Sequence, residues 1–547
     1  MNRIAISALA LAVLACPASA SVVISNKATK HMSCSAGICT PTAKNSVLNA
    51  GDLQTMLAGG DVSVNTGTGA VSIAVSAPVT WASTSRLTLS AANVISIRAA
   101  VVVEGTGAMT LAPSGAGLSF YPGGSIAFWD NSSSLVISGN GYTLVGDIAT
   151  LASDVQADPA GFYALAKDYD ASGDSFGAAA VSTALTGTFE GLGHTISNFS
   201  IVDQDEFQVG LFSEIDGTAR DLTMSNGNIT CAGSGVGAQG VGLLVGENKG
   251  TLKGISVGGT IDCHSGRDIG GVAGDNTVPG IIANATSAVN IPESHAHAAG
   301  GLVGVNTGTI QKSSASGAIV GDPAGGLVGT TSGTITDSRA SGSVLNPAAP
   351  YLGGLAGMAN GTILRCSASG NVTGKTYVGG LVGFATSLTI DSSFASGAVA
   401  SANAAGGLVG FAGSGFSLVN SYAFGTATGT IRKVQGIGGL IGVSNAAQSV
   451  ATSYSTGAPS GAKAVGGSVG NVVGSVAMTD VYWDLDTSGI SDPSKGVGNS
   501  ANYPGVTGLT TTQFQSGLPS GFDPTVWAQS ASINNGYPYL IANPPQQ

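Results

Sequence analysis

GGLVG at Gly300–Gly304 is the first of six related five-residue motifs that decide how this chain folds. The others are GGLVG (Gly325–Gly329), GGLAG (Gly353–Gly357), GGLVG (Gly379–Gly383), GGLVG (Gly406–Gly410) and GGLIG (Gly438–Gly442). Their first glycines follow one another at intervals of 25, 28, 26, 27 and 32 residues. Self-similarity at such a period indicates a repeat architecture, in which each repeat is one unit packed on its neighbours.

Each repeat carries two further apolar positions, which we call the first and second landmarks. The first landmark follows the glycine motif and is filled by Ile310, Ile335, Ile363, Ile390 and Leu418. The second landmark comes nine residues later and is filled by Ile319, Val344, Val372, Val399 and Ala427. Length varies only outside this block. The constant part therefore predicts the wall of a coil, and the variable part predicts loops.

The composition of the repeats favours strands over helices. They are rich in Gly, Ser, Thr and Val. Glycine is costly inside a helix, whereas β-branched residues suit strands. One repeat is long enough for a three-sided turn, stacked on the next turn at roughly 4.8 Å. We therefore predict an all-β protein: a right-handed parallel β-helix, or β-solenoid, with one short lateral helix and a C-terminal cap.

The repeat sequence also resembles a known family. GG-L-V-G, then (S/N)GTI, then SxAsGxV, is similar to the GLUG motif of bacterial surface and secreted proteins. This family includes adhesin-like chains related to filamentous haemagglutinin. The resemblance covers roughly Gln208 to Gly470, about half of the chain. It implies a β-solenoid with a surface role, and we assign the GLUG-repeat solenoid to residues 208–480.

The flanks of the repeats predict three further sections. Residues 21–140 alternate apolar and polar residues in short runs, which indicates strands, and they resemble the strand repeats of haemagglutinin-type exoproteins. Residues 141–207 form a transition in which Ile148–Ala157 has helical spacing and Asp147 is placed to cap the helix. Residues 481–547 form an aromatic segment, which we expect to cover the open end of the solenoid.

The N-terminus predicts export. In residues 1–20, Arg3 supplies a positive charge, Ile4–Ala15 an apolar stretch and Ala18–Ala20 a cleavage site, a pattern typical of a signal peptide. No later stretch is apolar enough to span a bilayer. The net charge of −11 disfavours a nucleic acid or an anionic membrane as the partner. We predict a monomer that is secreted or held at the cell surface, with the periplasm as the alternative.

Four of the six cysteines predict disulfides. Cys34 and Cys39 lie in a turn-like CSAGIC segment and can close a small loop. Cys231 and Cys263 each come two residues after an equivalent landmark isoleucine in successive coils, and stacked positions lie near enough for a disulfide. We predict both bridges, with two buried free thiols as the alternative for the second pair. Cys366 replaces a serine of the repeat, and we expect it to be buried without a redox role.

Fragments of catalytic and metal-binding patterns fit structural roles better. GxSxG at Gly466–Gly470 is a copy of the glycine motif and lacks the strand-to-helix setting of a nucleophile. His295 and His297 have no third metal ligand nearby. Asp484–Gly489 begins like a calcium loop, but Lys495 stands where the bidentate Glu belongs. We therefore predict no catalytic, cofactor or metal site.

An acidic cluster near the predicted helix leaves an enzyme as the alternative. Glycosidases need two carboxylates that flank the scissile bond. Acids around a helix also serve as caps, and we favour that role here. The cluster contains Asp154, Asp158, Asp168, Asp170 and Asp174.

The sequence thus predicts an exported, non-catalytic, adhesin-like β-solenoid that presents a polar face to a glycan or a host matrix. The haemagglutinin resemblance also implies an outer-membrane export partner. The alternatives are a carbohydrate-active β-helix enzyme, either a lyase or a glycosidase, and an envelope structural protein.

Overall fold

The structure is a computed structural model that describes residues 20–203, 207–231, 240–263, 268–292, 297–430, 435–445, 448–461 and 463–545. The chain is mostly β and forms a parallel β-solenoid of about 17 turns with few short helices, which confirms the predicted fold class. It divides into two compact units, Met1–Leu144 and Val145–Gln547. Nearly all of the predicted signal peptide, and His295, lie outside the described residues.

The first unit contains three rows of parallel strands. Across the sheet, the first row holds Asn45–Asn49, Ser21–Ser25, Ser72–Val75, Val94–Ile97 and Gly117–Phe120. The second row holds Ile38–Pro41, Val62–Asn65, Arg86–Ala91, Ala108–Pro113 and Ser134–Ile137. The third row holds Val79–Trp81, Val101–Val103 and Ile126–Phe128. Two antiparallel strands, Met32–Ser35 and Asn140–Val145, pair with the second row.

The first unit also contains a helix that the sequence analysis missed, α1 (Ala50–Gly59). The side chain of Asn49 caps it by accepting hydrogen bonds from the backbone N–H groups of Gly51 (2.8 Å) and Asp52 (3.1 Å). Leu53 and Leu57, one turn apart, are fully buried, and the helix packs against strands of all three rows. The prediction of a single helix is therefore wrong.

The second unit begins with the helix that the sequence predicted, α2 (Ile148–Ala157). The Asp147 carboxylate accepts a hydrogen bond from the Thr150 N–H (2.7 Å), as expected of an N-cap. The buried face of α2 joins the apolar core of the unit. A third helix, α3 (Thr511–Gln515), and three 3-10 turns, Ala171–Gly173, Pro493–Gly496 and Asn534–Gly536, complete the helical content of the described residues.

Five rows of parallel strands form the walls of the second unit. The glycine row holds Gln208–Val209, Gly240–Val241, Asp268–Gly270, Ala298–Gly300, Ala324–Gly325, Tyr351–Gly353, Tyr377–Gly379, Ala404–Gly406, Gly436–Gly438 and Val465–Gly466. The next row holds Phe212–Ile215, Val245–Asn248, Ala273–Asn276, Val303–Asn306, Val328–Thr331, Ala356–Leu364, Val382–Asp391, Val409–Ala412, Ile441–Asn445 and Val469–Val473. The first-landmark row holds Phe162–Leu165, Thr188–Glu190, Thr218–Arg220, Thr251–Lys253, Ile281–Ala283, Thr309–Gln311, Thr334–Thr336, the last residues of the long strands Ala356–Leu364 and Val382–Asp391, Ser417–Val419 and Ser449–Ser455.

The two remaining rows complete each coil. The serine row holds Tyr169–Asp170, Thr195–Ser197, Thr223–Cys231, Ser256–Cys263, Thr286–Asn290, Ser314–Ala315, Arg339–Ala340, Ser367–Ala368, Phe394–Ala395, Tyr422–Ala423, the last residues of Ser449–Ser455, Ala477–Asp484 and Val506–Leu509. The second-landmark row holds Ser200–Asp203, Val344–Leu345, Val372–Gly374, Val399–Ser401, Ala427–Gly429 and Pro459–Ser460. A short antiparallel pair, Trp527–Ala528 and Tyr539–Leu540, follows the coils.

Both landmark columns stack in register, as the spacing predicts. Ile310 pairs with Ile335, and the column continues to Leu418. Ile319 pairs with Val344, and that column continues to Ala427. All ten landmark side chains are buried, so each coil contributes apolar area to one continuous core.

A column of buried amides runs through three neighbouring coils. The Asn248 side-chain amide donates to the Asn276 side-chain oxygen (2.7 Å), and Asn276 donates in the same way to Asn306 (2.7 Å). Asn306 donates to the Thr331 hydroxyl (3.0 Å). The three asparagines are fully buried. The ladder therefore fixes the register of successive coils by pairing polar groups that water does not reach.

The aromatic C-terminal segment covers a side of the solenoid as well as its end. Trp483 fills the interior of the last long coil and is fully buried, as an end cap requires. Other aromatic residues of the segment, with Leu540, lie instead on a lateral stack in the serine row. The resulting cluster contains Phe394, Tyr422, Tyr454, Tyr482, Phe514, Phe522, Trp527, Tyr537 and Leu540. The sequence predicted only the end cap.

Candidate functional site

The strongest candidate site is a groove of about 520 Å³ on the outer face of the serine row, which we call the serine groove. In this row the alanines point inward and their neighbours point outward, so the outward residues form two lines across successive coils. The two lines supply most of the lining, and the C-terminus supplies the rest. The lining residues are Ser314, Ala315, Ser316, Arg339, Ala340, Ser341, Ser367, Ser369, Phe394, Ser396, Phe424 and Pro545.

The C-terminal strip Ile541–Pro545 lies beside the serine residues of the groove. The Asn543 side chain donates hydrogen bonds to the backbone oxygens of Cys366 and Ser392, both at 3.1 Å. These two residues belong to neighbouring coils, so one amide holds the strip across both. Pro545 thereby becomes part of the groove lining.

Hydroxyl groups dominate the floor of the groove. Among the described residues, the side-chain hydroxyls of Ser341, Ser369 and Ser396 have no hydrogen-bond partner in the protein. Ser341 and Ser369 are exposed, and Ser396 is half-buried. Each hydroxyl can both donate and accept, which suits a ligand that carries many hydroxyl groups of its own.

One end of the groove is aromatic. The rings of Phe394 and Phe424 lie 6.2 Å apart and nearly parallel, with 15° between their planes. Phe394 also stacks on Tyr422 (4.9 Å, 8°), and Tyr422 contacts Trp527 of the C-terminal segment. Phe424 is half-buried and lines the groove. The aromatic stack that anchors the C-terminus thus continues into the candidate site.

The groove carries a positive charge in an acidic protein. Arg339 is exposed and, among the described residues, forms no ion pair. The neighbouring carboxylate of Asp337 is already held by the Arg365 guanidinium through two bonds of 2.6 and 2.8 Å. That pairing lowers the pKa of Asp337 and keeps it ionised. Among the residues that the structure describes, no carboxylate lines the serine groove, and none of them neutralises the Arg339 guanidinium.

A second aromatic surface lies on two other rows of the same unit. Phe384 stacks on Phe411 (4.9 Å, 4°), and Tyr351 stacks on Tyr377 (6.1 Å, 16°). All four side chains are half-buried. This surface gives the matched control for experiments on the serine groove.

Both predicted disulfides are present. Cys34 is joined to Cys39 within the antiparallel pair of the first unit. Cys231 is joined to Cys263, its register partner in the next coil, with 4.7 Å between the Cα atoms. Cys366 is free and fully buried, and its burial raises the pKa of the thiol to about 12. It therefore stays protonated and unreactive, as its place among serines predicts.

The carboxylates of the acidic cluster near α2 mostly accept hydrogen bonds that cap turns or join neighbouring coils. Asp170 accepts hydrogen bonds from the Ser172 N–H (3.0 Å) and the Asn198 amide (2.9 Å), and both lower its pKa. Asp168 accepts a bond from the Thr195 N–H (2.9 Å) and contacts the His194 ring (3.2 Å), which lowers its pKa. Asp158 accepts a bond from the Ala160 N–H, and Asp174 one from the Tyr169 hydroxyl.

The segment Asp484–Gly489, which begins like a calcium loop, is organised by hydrogen bonds to one buried carboxylate. The Asp484 carboxylate is fully buried and accepts four hydrogen bonds, from the N–H groups of Asp486 (2.7 Å) and Thr487 (3.0 Å) and the hydroxyls of Thr511 (2.8 Å) and Tyr537 (2.7 Å). Burial raises the pKa of Tyr537 to about 12. The hydrogen bonds of Asp484 to Thr511 and Tyr537 connect the last long coil to the C-terminal segment.

The other sequence fragments are equally structural. Ser468 of the GxSxG motif is fully buried, and its hydroxyl donates to the Tyr482 backbone oxygen. His297 has a mostly exposed ring that contacts Asp268 (3.0 Å). Among the described residues there is no cluster of three or more His, Cys, Asp or Glu side chains that could hold a metal ion.

The structure reveals one acidic row that the sequence analysis missed. Glu214, Glu247 and Asp275 pair in register on successive coils. Lys249 neutralises the first two, at 2.7 Å from Glu214 and 3.2 Å from Glu247. Asp275 instead shares a hydrogen bond with Asp268, and burial together with the charges of Asp268 and Glu247 raises its pKa to about 8. The signal in the sequence was an acid at one fixed offset in three repeats.

The Asp275 carboxyl predicts a pH dependence of stability. Its folded pKa lies far above the value of an unfolded aspartate, so the native state binds the extra proton between about pH 4 and pH 8. Stability therefore falls as pH rises through that window. In Asp275→Asn the side chain cannot ionise, and we expect the melting temperature to fall less between pH 5 and pH 8 than in the wild type. Exposed Asp216→Asn is the control, and identical slopes in all three proteins would contradict this assignment.

The fold and its cross-links define the class of protein: a β-solenoid with disulfides of the kind that persist in an oxidising, extracytoplasmic compartment. The protein-family model of the GLUG motif matches residues 295–320 of this chain. Within the described part of the chain, no helix is both long and apolar enough to cross a bilayer.

Two known proteins are similar to the chain. Halomucin of Haloquadratum walsbyi is 33% identical over 166 residues, which are 29% of this chain and 2% of halomucin. The chain thus spans only a small fraction of that relative. A crystal structure from Bacteroides ovatus, provisionally described as an immunoglobulin A1 protease, is 16% identical and aligns with a TM-score of 0.28 over 74% of this chain and 93% of that one. A likeness this low carries no conclusion about function.

Proposed function

We propose that the protein is an exported, non-catalytic attachment protein that binds a surface glycan or matrix through the serine groove. The observation that carries the proposal is the groove itself, which combines serine hydroxyls, an aromatic end and a wall supplied by the chain's own C-terminus. Polar groups that set orientation beside apolar contact area are the usual composition of a ligand site. The GLUG motif and the match to halomucin support a surface role.

The proposal extends to partners and location. A signal peptide at residues 1–20 would direct the chain out of the cytoplasm, and an outer-membrane partner would then release or display it. The net charge of −11 argues against a nucleic-acid partner. We expect the chain to act as a monomer, secreted or at the cell surface.

The alternative is a carbohydrate-active enzyme, and the Asp268–Asp275 pair is the observation that favours it. The two carboxyls share a hydrogen bond and a raised pKa, as catalytic pairs often do. However, glycosidases hold their carboxyls about 5 Å or more apart to admit the sugar or a water. Direct contact therefore supports a structural pair.

The test is binding of the mature chain to glycan and host-matrix arrays. We expect saturable binding that Phe424→Ser weakens at least tenfold, because the substitution removes the more exposed of the two rings at the aromatic end of the groove. Phe411→Ser on the second aromatic surface is the matched control and should bind as the wild type does. No new reducing ends should appear in glycans incubated with the protein.

Either of two results would overturn the proposal. Phe424→Ser and Phe411→Ser could bind equally well, or no array surface could be bound at all. Release of reducing ends that Asp275→Asn abolishes would instead establish the enzyme.

A further inference from the structure

We propose that the ligand of the serine groove is a linear acidic glycan, in which a uronic acid carboxylate pairs with Arg339 while neighbouring sugar rings follow the serine lines toward Phe424. This inference rests on the proposed attachment function and names its ligand class. Three features of the groove carry it: an unneutralised guanidinium, a repeated set of hydroxyls and an aromatic end.

The charge selects an acidic ligand. Arg339 is exposed, so its positive charge is available to a ligand. Arg365, which lies on the next coil, is already held by Asp337 at 2.6 Å. Within the described part of the chain, Arg339 has no such partner and no acidic side chain lines the groove. A guanidinium presents a planar fork of donors that matches a carboxylate.

The spacing selects a linear polymer. Arg339 pairs in register with Ser367, and Ser367 with Phe394. Alongside them, Ser341, Ser369 and Ser396 occupy equivalent positions on the same coils. Neighbouring strands lie about 4.8 Å apart, which is close to the length of one pyranose unit. Each coil can therefore present one set of hydroxyls to one sugar residue.

The aromatic end selects a sugar over a simple anion. The Phe424 ring is half-buried at the end of the serine lines, and an aromatic face offers apolar contact to the C–H face of a pyranose. A free phosphate or acetate would satisfy Arg339 alone and leave Phe424 and the serines without contacts. The groove volume of about 520 Å³ also suits several sugar rings better than one small ion.

The test uses calorimetry on the full mature chain with three probes: tetragalacturonate, its fully methyl-esterified form and galacturonate monomer. We expect the free acid to bind at least tenfold more tightly than the ester or the monomer. Arg339→Gln should weaken binding of the acid at least tenfold and leave binding of the ester unchanged. Arg339→Lys should restore part of the affinity, because a lysine keeps the charge but loses the fork.

Controls separate the groove from general charge effects. Lys375 is an exposed cation outside the groove, so Lys375→Gln removes the same charge and should bind as the wild type does. Arg339 is itself exposed, so its substitution should leave the melting temperature unchanged.

Equal binding of acid and ester, or of monomer and tetramer, would overturn the inference, as would an Arg339→Gln variant that binds normally. These failures are distinguishable from failure of the proposed function. If only neutral array ligands bind and Phe424→Ser loses them, attachment through the groove stands and the acidic ligand is wrong. If nothing binds in either experiment, both proposals are wrong.

Discussion

Gly379→Ala should unfold the repeats around it. A Cβ at this position would lie 2.0 Å from the Val382 backbone oxygen, 2.7 Å from the Gly410 nitrogen and 2.8 Å from the Leu408 oxygen. All three are backbone atoms, and Leu408 and Gly410 belong to the next coil, so no side chain can rotate away. We expect a loss of about 3 kcal/mol or more in the free energy of unfolding, above the usual cost of overpacking a core.

Thermal melting and limited proteolysis would measure the effect. In a solenoid each coil is stabilised by its neighbours, so cleavage should appear first in the coils that flank Gly379. Gly173→Ala is the matched control, because a Cβ there meets no atom within 4 Å. A Gly379→Ala protein as stable and protease-resistant as this control would contradict the close approach of the coils.

Asn276→Ala should be the second most damaging substitution. It removes the middle of the amide ladder and leaves the Asn248 amide and the Asn306 side-chain oxygen without the 2.7 Å bonds that they now make. Each unsatisfied buried polar group costs about 1–3 kcal/mol. We expect a total loss of about 3 kcal/mol, measured by denaturant unfolding.

Asn360→Ala provides the comparison, because Asn360 is exposed. Its substitution should change stability by less than about 0.5 kcal/mol. If Asn276→Ala costs no more than Asn360→Ala, the ladder sets the register of the coils without adding net stability.

Periodic features of the chain were predictable from sequence because every coil repeats them. The apolar landmarks Ile310 and Ile319 had to recur for the coils to stack, so their spacing gave both the strand rows and the register. The same logic placed Cys231 opposite Cys263. The helix at Ile148–Ala157 was visible because a capping aspartate precedes an apolar stripe.

Features that occur once were missed. The helix α1 carries comparable signals, with Asn49 as its cap and Leu53 and Leu57 one turn apart, but it lies in a section whose alternating apolar and polar runs favour strands. The wall of the serine groove depends on a bond between Asn543 and Cys366, which are 177 residues apart. No local pattern encodes such a contact. The outward-facing serines form a groove only together with the C-terminal strip Ile541–Pro545, which the serine pattern does not predict.

The most direct test of the central claim is to block the serine groove chemically. Ser369 is exposed on the groove floor, whereas the native free thiol of Cys366 is fully buried, so Ser369→Cys can be labelled selectively with a bulky maleimide. Ser332→Cys, at an exposed position in a turn outside the groove, is the control. We predict that the label at residue 369 abolishes binding to every array surface that the unlabelled protein binds, while the label at residue 332 has no effect. Undiminished binding by the protein labelled at residue 369 would contradict the account.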